Sequence, residues 1–158
     1  MSNSSSERSP RPPSLDTLAI HAGYEPDPGH GAVMPPIVMS TTFAQSAPGE
    51  HRGFDYGRSG NPTRATLEGC LAALEGGTFA FAFASGCAAA NCVLDLLRPG
   101  DHILCSDDVY GGTFRLFDKV ARPRGIECQA VDMGDLAAVG QALAAARGKT
   151  TLVWVETP

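Results

Sequence analysis

The stretch HILCSDDVYGGTFRLFDKVARPRGIECQAV, residues 102–131, decides the fold. His102–Cys105 is a short apolar run of strand length. Ser106–Gly112 is a polar loop carrying two glycines. Apolar residues then recur at helical spacing over Thr113–Ala121, and Ile126–Val131 is a second apolar run. Strand, loop, helix, strand in about 30 residues is a βαβ unit, which places the two strands parallel in one sheet.

Working outward, the same alternation continues on both sides. Upstream, FAFAFA (Phe79–Ala84) suits a strand buried on both faces. Ser85-Gly86 makes a turn, and CAAANCVLDLL reads as a helix closed by Pro99-Gly100. Downstream, Asp135 to Arg147 is an alanine-rich helix and Leu152–Val155 is a last strand. Asn61 is a good N-cap and Pro62 suits the first helical position. Leu67, Leu71 and Leu74 form one stripe, and Gly76-Gly77 ends that helix. The expectation is an α/β domain over residues 61–158 with a mostly parallel sheet. The loops after each strand (Ser85–Cys87, Ser106–Gly112, Asp132–Gly134 and Glu156 onward) then converge on one face, where ligands bind in open α/β sheets.

The ends of the chain read differently. Residues 1–14 are rich in Ser, Pro and Arg, which suits a disordered leader. Residues 15–60 are rich in Gly and Pro with only short apolar runs. A stretch that long without a clear helix or strand binds something or wraps a partner chain.

Composition narrows the function classes. The chain has 158 residues, a net charge of -5 and 43% hydrophobic residues, enough to bury a core. The acidic balance argues against nucleic-acid and anionic-membrane partners. No apolar run approaches a membrane span, and the cytoplasm is the expected location on the reading of the cysteines as reduced thiols. The five cysteines (Cys70, Cys87, Cys92, Cys105 and Cys128) sit in apolar surroundings without CxxC spacing. They are expected to be reduced, buried thiols, and no metal site is expected.

Three stretches could carry chemistry. In FAFASGCAAA, the free N–H groups of Gly86 and Cys87 open a helix and form an anion site; an ordinary βα turn has the same sequence. In SDDVYGGTFRLF, Tyr110 could stack on a planar ligand and Arg115 could bind a carboxylate, or both could be plain surface residues. In GFDYGRSGNPTR, Tyr56 and Arg58 alternate along an extended segment and so share a side; both are good phosphate ligands, though a polar surface loop fits as well. Together the three suit one flat, aromatic, phosphorylated ligand held against a carboxylate-bearing substrate.

YGRSGNPTR, FAFASGCAA, DDVYGGTFRLF and LVWVETP resemble the Cys/Met-metabolism family of PLP-dependent, trans-sulfuration enzymes, from about Leu15 to Pro158. The resemblance implies fold type I (aspartate aminotransferase-like), with an N-terminal arm and part of the large domain, and pyridoxal 5'-phosphate as cofactor. It implies that Tyr56 and Arg58 reach the neighbouring subunit's cofactor phosphate, and that the amides of Gly86 and Cys87 hold that phosphate from within. Tyr110 is implied to stack on the pyridine ring and move protons. Arg58, Tyr110 and Arg115 are implied to meet substrate, and Glu156 to lie beside the cofactor. The implied assembly is a homotetramer, a dimer of dimers with sites at subunit interfaces and amino-acid substrates.

The implied reaction is cleavage of L-cystathionine to cysteine, 2-oxobutyrate and ammonia. The synthase, methionine-lyase and sulfhydrylase branches share the same motifs. Lys119 and Lys149 are the only lysines, and neither matches the family's Schiff-base lysine. The sequence is therefore expected to be an N-terminal fragment without lyase activity of its own. A non-catalytic short form that pairs with full-length subunits, and a phosphate-binding α/β protein unrelated to PLP, are the alternatives.

Overall fold

The computed structural model describes residues 12–157, so most of the expected leader lies outside the described residues. The chain divides into two compact units, Met1–Ala82 and Phe83–Pro158.

The first unit contains more regular structure than its composition suggests. Ser14 caps α1 (Leu15–His21), its hydroxyl accepting the Thr17 N–H at 3.3 Å. A short hairpin follows, β1 (Gln45–Ala47) against β2 (Glu50–His51). Asn61 caps α2 (Pro62–Leu74) by accepting from Thr63 and Arg64, as the sequence predicts. The same cap reaches back across the chain. Asn61 Nδ2 donates to the Val38 carbonyl at 3.1 Å, and Thr63 Oγ1 accepts the Val38 N–H at 2.9 Å. These bonds tie the proline-rich segment to the start of α2.

The stripe Leu67, Leu71 and Leu74 is not the packed face: Leu67 and Leu71 are exposed. The α1–α2 connection instead closes on the Thr66–Gly69–Cys70 side. A Cβ on Gly23 would overlap the Thr66 carbonyl and stand 2.5 Å from the Cys70 N, and Gly23 has φ +81. Backbone approach and a left-handed conformation both demand glycine there. Gly23→Ala is therefore expected to destabilise this unit by about 2 kcal/mol or more. A drop in the thermal midpoint checks it.

The second unit carries the predicted α/β alternation. Ser85 caps α3 (Gly86–Leu94). Strand β3 (His102–Ser106) leads into α4 (Gly111–Leu116). Phe117–Ala121 continues α4 as a wide π turn, and Arg122–Arg124 as a 3-10 turn ended by Gly125 at φ 82. Then come β4 (Glu127–Val131), α5 (Leu136–Ala145) capped by Asp135, and β5 (Thr150–Trp154). The sheet is parallel and ordered β4-β3-β5, so the chain crosses β3 between its last two strands. The central strand is buried along its whole length. Leu94, Ile103, Cys105, Phe117, Ala121 and Ile126 form the core.

Two expectations are corrected. Phe79–Ala84 does not form a strand: it joins no ladder, and Phe79 is 80% exposed. An apolar alternating run is fit for a sheet but becomes a strand only where another strand pairs with it, and none of the described strands does. The cysteines are free thiols, but Cys87 and Cys92 are exposed rather than buried. Burial of Cys105 and partial burial of Cys128 push both of those thiols up. No helix among the described residues is long and apolar enough to cross a membrane.

Candidate functional site

The site follows from strand order. Strands β3 and β5 are parallel neighbours, so the loops after them leave from the same end of the sheet, side by side. Tyr110 lies four residues past Ser106, and Glu156 two residues past Trp154. The loop Asp132–Gly134 follows β4, on the other side of β3, and closes on itself through the Gly134 N–H to Asp132 Oδ1 at 2.8 Å. It does not join the pocket.

The pocket is about 420 Å³, lined by Ser85, Gly86, Cys87, Tyr110, Thr113, Trp154 and Glu156, with Ala90 beneath. Four of the sequence-predicted residues therefore meet in one cavity: Gly86, Cys87, Tyr110 and Glu156. Arg115 is exposed on α4 and outside the lining. A wider depression, about 690 Å³, lies over the β1–β2 hairpin. Several of its polar groups are turned on one another: Ser46 Oγ bonds Glu50 Oε2 at 3.0 Å, and the Gly49 N–H donates to Gln45 Oε1 at 3.0 Å. Donor chemistry rather than volume therefore marks the pocket at α3.

At one end of that pocket lies the start of α3. The Ser85 hydroxyl accepts the Ala88 N–H at 3.2 Å. The amides of Gly86 and Cys87, the first two residues of the helix, precede any intrahelical acceptor. Nothing lies within 4 Å of a Cβ built on Gly86, so a ligand can come up to the backbone. The Tyr110 ring, 69% exposed, lines the same cavity. An anion seat and an aromatic face on one cavity suit a phosphorylated planar cofactor.

Glu156 is fully engaged. Its Oε2 accepts the Tyr110 N–H at 2.6 Å, and its Oε1 accepts both the Thr113 hydroxyl at 2.6 Å and the Trp154 indole N–H at 2.9 Å. The Thr113 hydroxyl, then the Tyr110 and Trp154 N–H groups, hold its carboxyl below the ordinary value of 4.5, against a smaller desolvation effect. A carboxyl depressed on folding stabilises above its unfolded value and loses that contribution as pH falls through the folded one. Emission from Trp154, the chain's one tryptophan, is expected to stay constant from neutral pH down to about 4.5 and to change below it. An acid fluorescence titration checks this; in Glu156→Gln the change should vanish.

Thr113 and Trp154 carried no signal in the helix and strand patterns. The one available clue was spacing: Trp154 and Glu156 are two apart on an extended chain, and so share a side.

In the first unit, Arg58 Nη2 donates to the Tyr56 hydroxyl at 2.8 Å, and its guanidinium carbon lies 5.2 Å from the centre of the Tyr56 ring. The segment is not extended, however. The Gly60 N–H donates to the Tyr56 carbonyl at 2.9 Å, closing a turn that brings the two side chains together.

A model of the family described as Cys/Met metabolism PLP-dependent enzyme matches residues 16–158. The chain is 56% identical to cystathionine gamma-synthase of Mycobacterium leprae over 91% of its own length and 37% of that protein. It is 51% identical to cystathionine beta-lyase of Coxiella burnetii, over 91% and 37%. The crystal structure of cystathionine gamma-lyase from Lactobacillus plantarum, complexed with L-serine, superposes with a TM-score of 0.83 at 46% identity, over 92% of this chain and 37% of that one. The chain thus spans little more than a third of the length of these relatives. Three relatives carry the names of three reactions, so the match fixes the family and not the reaction. The α/β unit is built on fold type I, the cofactor of the family is pyridoxal 5'-phosphate, and the chain belongs to the Cys/Met metabolism PLP-dependent enzymes.

Proposed function

We propose that this chain is the N-terminal part of a trans-sulfuration enzyme, and that it supplies the seat for the cofactor phosphate and one face of the cofactor ring. One observation carries the reading: the open α3 amides of Gly86 and Cys87 line the same cavity as the Tyr110 ring. Bound there, pyridoxal phosphate would supply an electron sink for amino-acid carbanions. The chain's own residues do the rest. Gly86 and Cys87 hold the phosphate, Tyr110 covers the ring and moves protons beside it, and Glu156 fixes the loop. Tyr56 and Arg58 serve the phosphate of a neighbouring subunit in a homotetramer, and Arg58 and Arg115 meet the substrate carboxylate. The enzyme works in the cytoplasm.

The motif wording favours cleavage of cystathionine at Cγ. The 56% identity to a cystathionine gamma-synthase favours the reverse sense, bond formation at that carbon. Product analysis on the whole enzyme separates the branches. Cysteine with 2-oxobutyrate from L-cystathionine means γ-cleavage, and homocysteine with pyruvate means β-cleavage. Cystathionine made from cysteine and an activated four-carbon amino acid means synthesis. None of the three would overturn the family-level reading for this chain.

The 158 residues assayed by themselves are expected to show no turnover. Neither lysine lines the pocket; Lys119 Nζ is exposed and pairs with Asp118 at 2.8 Å. A second reading, a non-catalytic short form that pairs with full-length subunits, is favoured by the exposed Val33, Met34, Ile37 and Met39 of the arm. Co-purification with a full-length homologue supports it, and a monomeric chain in that mixture counts against it.

A further inference from the structure

The family resemblance implies a place for Glu156 beside the cofactor, yet its hydrogen bonds leave the carboxylate little to offer a ligand. Both oxygens are occupied, Oε1 twice. All three donors come from the protein, and two of them are rigid: a backbone amide and an indole ring. Tyr110, by contrast, has little else to hold it besides the Phe114 N–H that donates to its carbonyl at 3.0 Å. It occupies the N-cap position of α4 without a side-chain cap bond, and Gly111 and Gly112 follow it. Its Val109 neighbour is only partly buried against the core.

Trp154 is where this arrangement reaches the core. Its ring meets Phe117 edge-on, with centroids 5.9 Å apart and an interplanar angle of 86°. Phe117 is 3% exposed within the central cluster. The contacts thus run from Phe117 to the Trp154 ring, from the indole N–H to Glu156 Oε1, and from the Tyr110 N–H to Glu156 Oε2. Thr113, one turn further along α4, grips the same oxygen as Trp154 and stops the carboxylate from rotating.

We propose that Trp154 and Thr113 are positioning residues that act through the Glu156 carboxylate to set the Tyr110 ring at the pocket, with Glu156 serving as their link rather than as a cofactor ligand. The inference rests on the PLP reading for what the ring is set against. The link requires a carboxylate. A glutamine in either amide orientation would aim its NH₂ at a fixed N–H donor, at Tyr110 or at Trp154. Trp154→Phe keeps an aromatic edge for Phe117 while deleting the indole donor, and Thr113→Val deletes the other donor at nearly constant volume.

The test is amide hydrogen exchange at Tyr110 in the ¹⁵N-labelled chain, with equilibrium dialysis of pyridoxal 5'-phosphate on the same samples. Trp154→Phe and Thr113→Val are each expected to speed Tyr110 exchange about tenfold, and Glu156→Gln more, with the core strand β3 still protected. Cofactor affinity should fall in parallel. Tyr110 exchange as slow in both Trp154→Phe and Thr113→Val as in the parent overturns the proposal. So does unchanged cofactor affinity in variants whose Tyr110 has been released. If Tyr110 is released as expected but the parent chain binds no pyridoxal phosphate, the linkage stands and the cofactor reading fails. Thr113→Val carries the test should Trp154→Phe lose protection in β3.

Discussion

Replacing Phe117 with alanine is expected to cost about 3–5 kcal/mol, the usual range for deleting a fully buried aromatic. That approaches the whole net stability of a small domain, about 5–15 kcal/mol. Phe117 lies in a cluster with Leu94, Ile103, Cys105, Ala121 and Ile126, so the void would open under β3 itself. The loss would also be felt at the pocket, because the Phe117 edge is what Trp154 packs on. Chemical denaturation should show a large fall in midpoint with little change in slope. A variant as stable as the parent would mean that the core is not where the structure puts it.

The second large effect is at Gly112, and it is local. A Cβ there would overlap Cε1 of the Tyr110 ring and stand 2.9 Å from both Tyr110 Cδ1 and Cys87 Sγ. Gly112→Ala must therefore move the ring or the thiol. Alanine also raises helix propensity by about 1 kcal/mol, which offsets part of the strain in α4. The expected result is a small change in thermal midpoint together with pyridoxal phosphate binding weakened roughly two- to tenfold, the worth of an aromatic stack. Gly111→Ala is the matching control, since nothing lies within 4 Å of its added Cβ. Equal binding by both variants would show that the Tyr110 ring does not contribute to the cofactor seat.

Much of this arrangement was legible because its determinants are local. Asn61 announces a helix start by its side-chain chemistry and caps α2 as expected, while Ser85 and Asp135, read only as a turn residue and a helix start, cap α3 and α5. Strands β3, β4 and β5 stand out as apolar runs between loops. Gly86, Cys87, Tyr110 and Glu156 were singled out from loops that follow apolar runs, and the structure brings the four to one cavity. What stayed hidden depends on pairing. Phe79–Ala84 has a strand's pattern and none of the described strands beside it. The stripe Leu67, Leu71 and Leu74 marked α2 as a helix but not its contact with α1, where two glycines, Gly23 and Gly69, close against each other. Thr113 and Trp154 looked like ordinary helix and strand residues. Their role exists only because β5 pairs with β3 rather than following β4 in the sheet.

The central claim is that the start of α3, Tyr110 and the end of β5 form one seat for pyridoxal 5'-phosphate. The most direct measurement is a ¹⁵N chemical-shift titration of the chain with that compound. The account predicts that the Gly86, Cys87 and Tyr110 amides and the single Trp154 indole resonance shift together along one saturable curve, and that inorganic phosphate moves only the first two. Absence of shifts at millimolar ligand, or shifts confined to the β1–β2 hairpin, would contradict it.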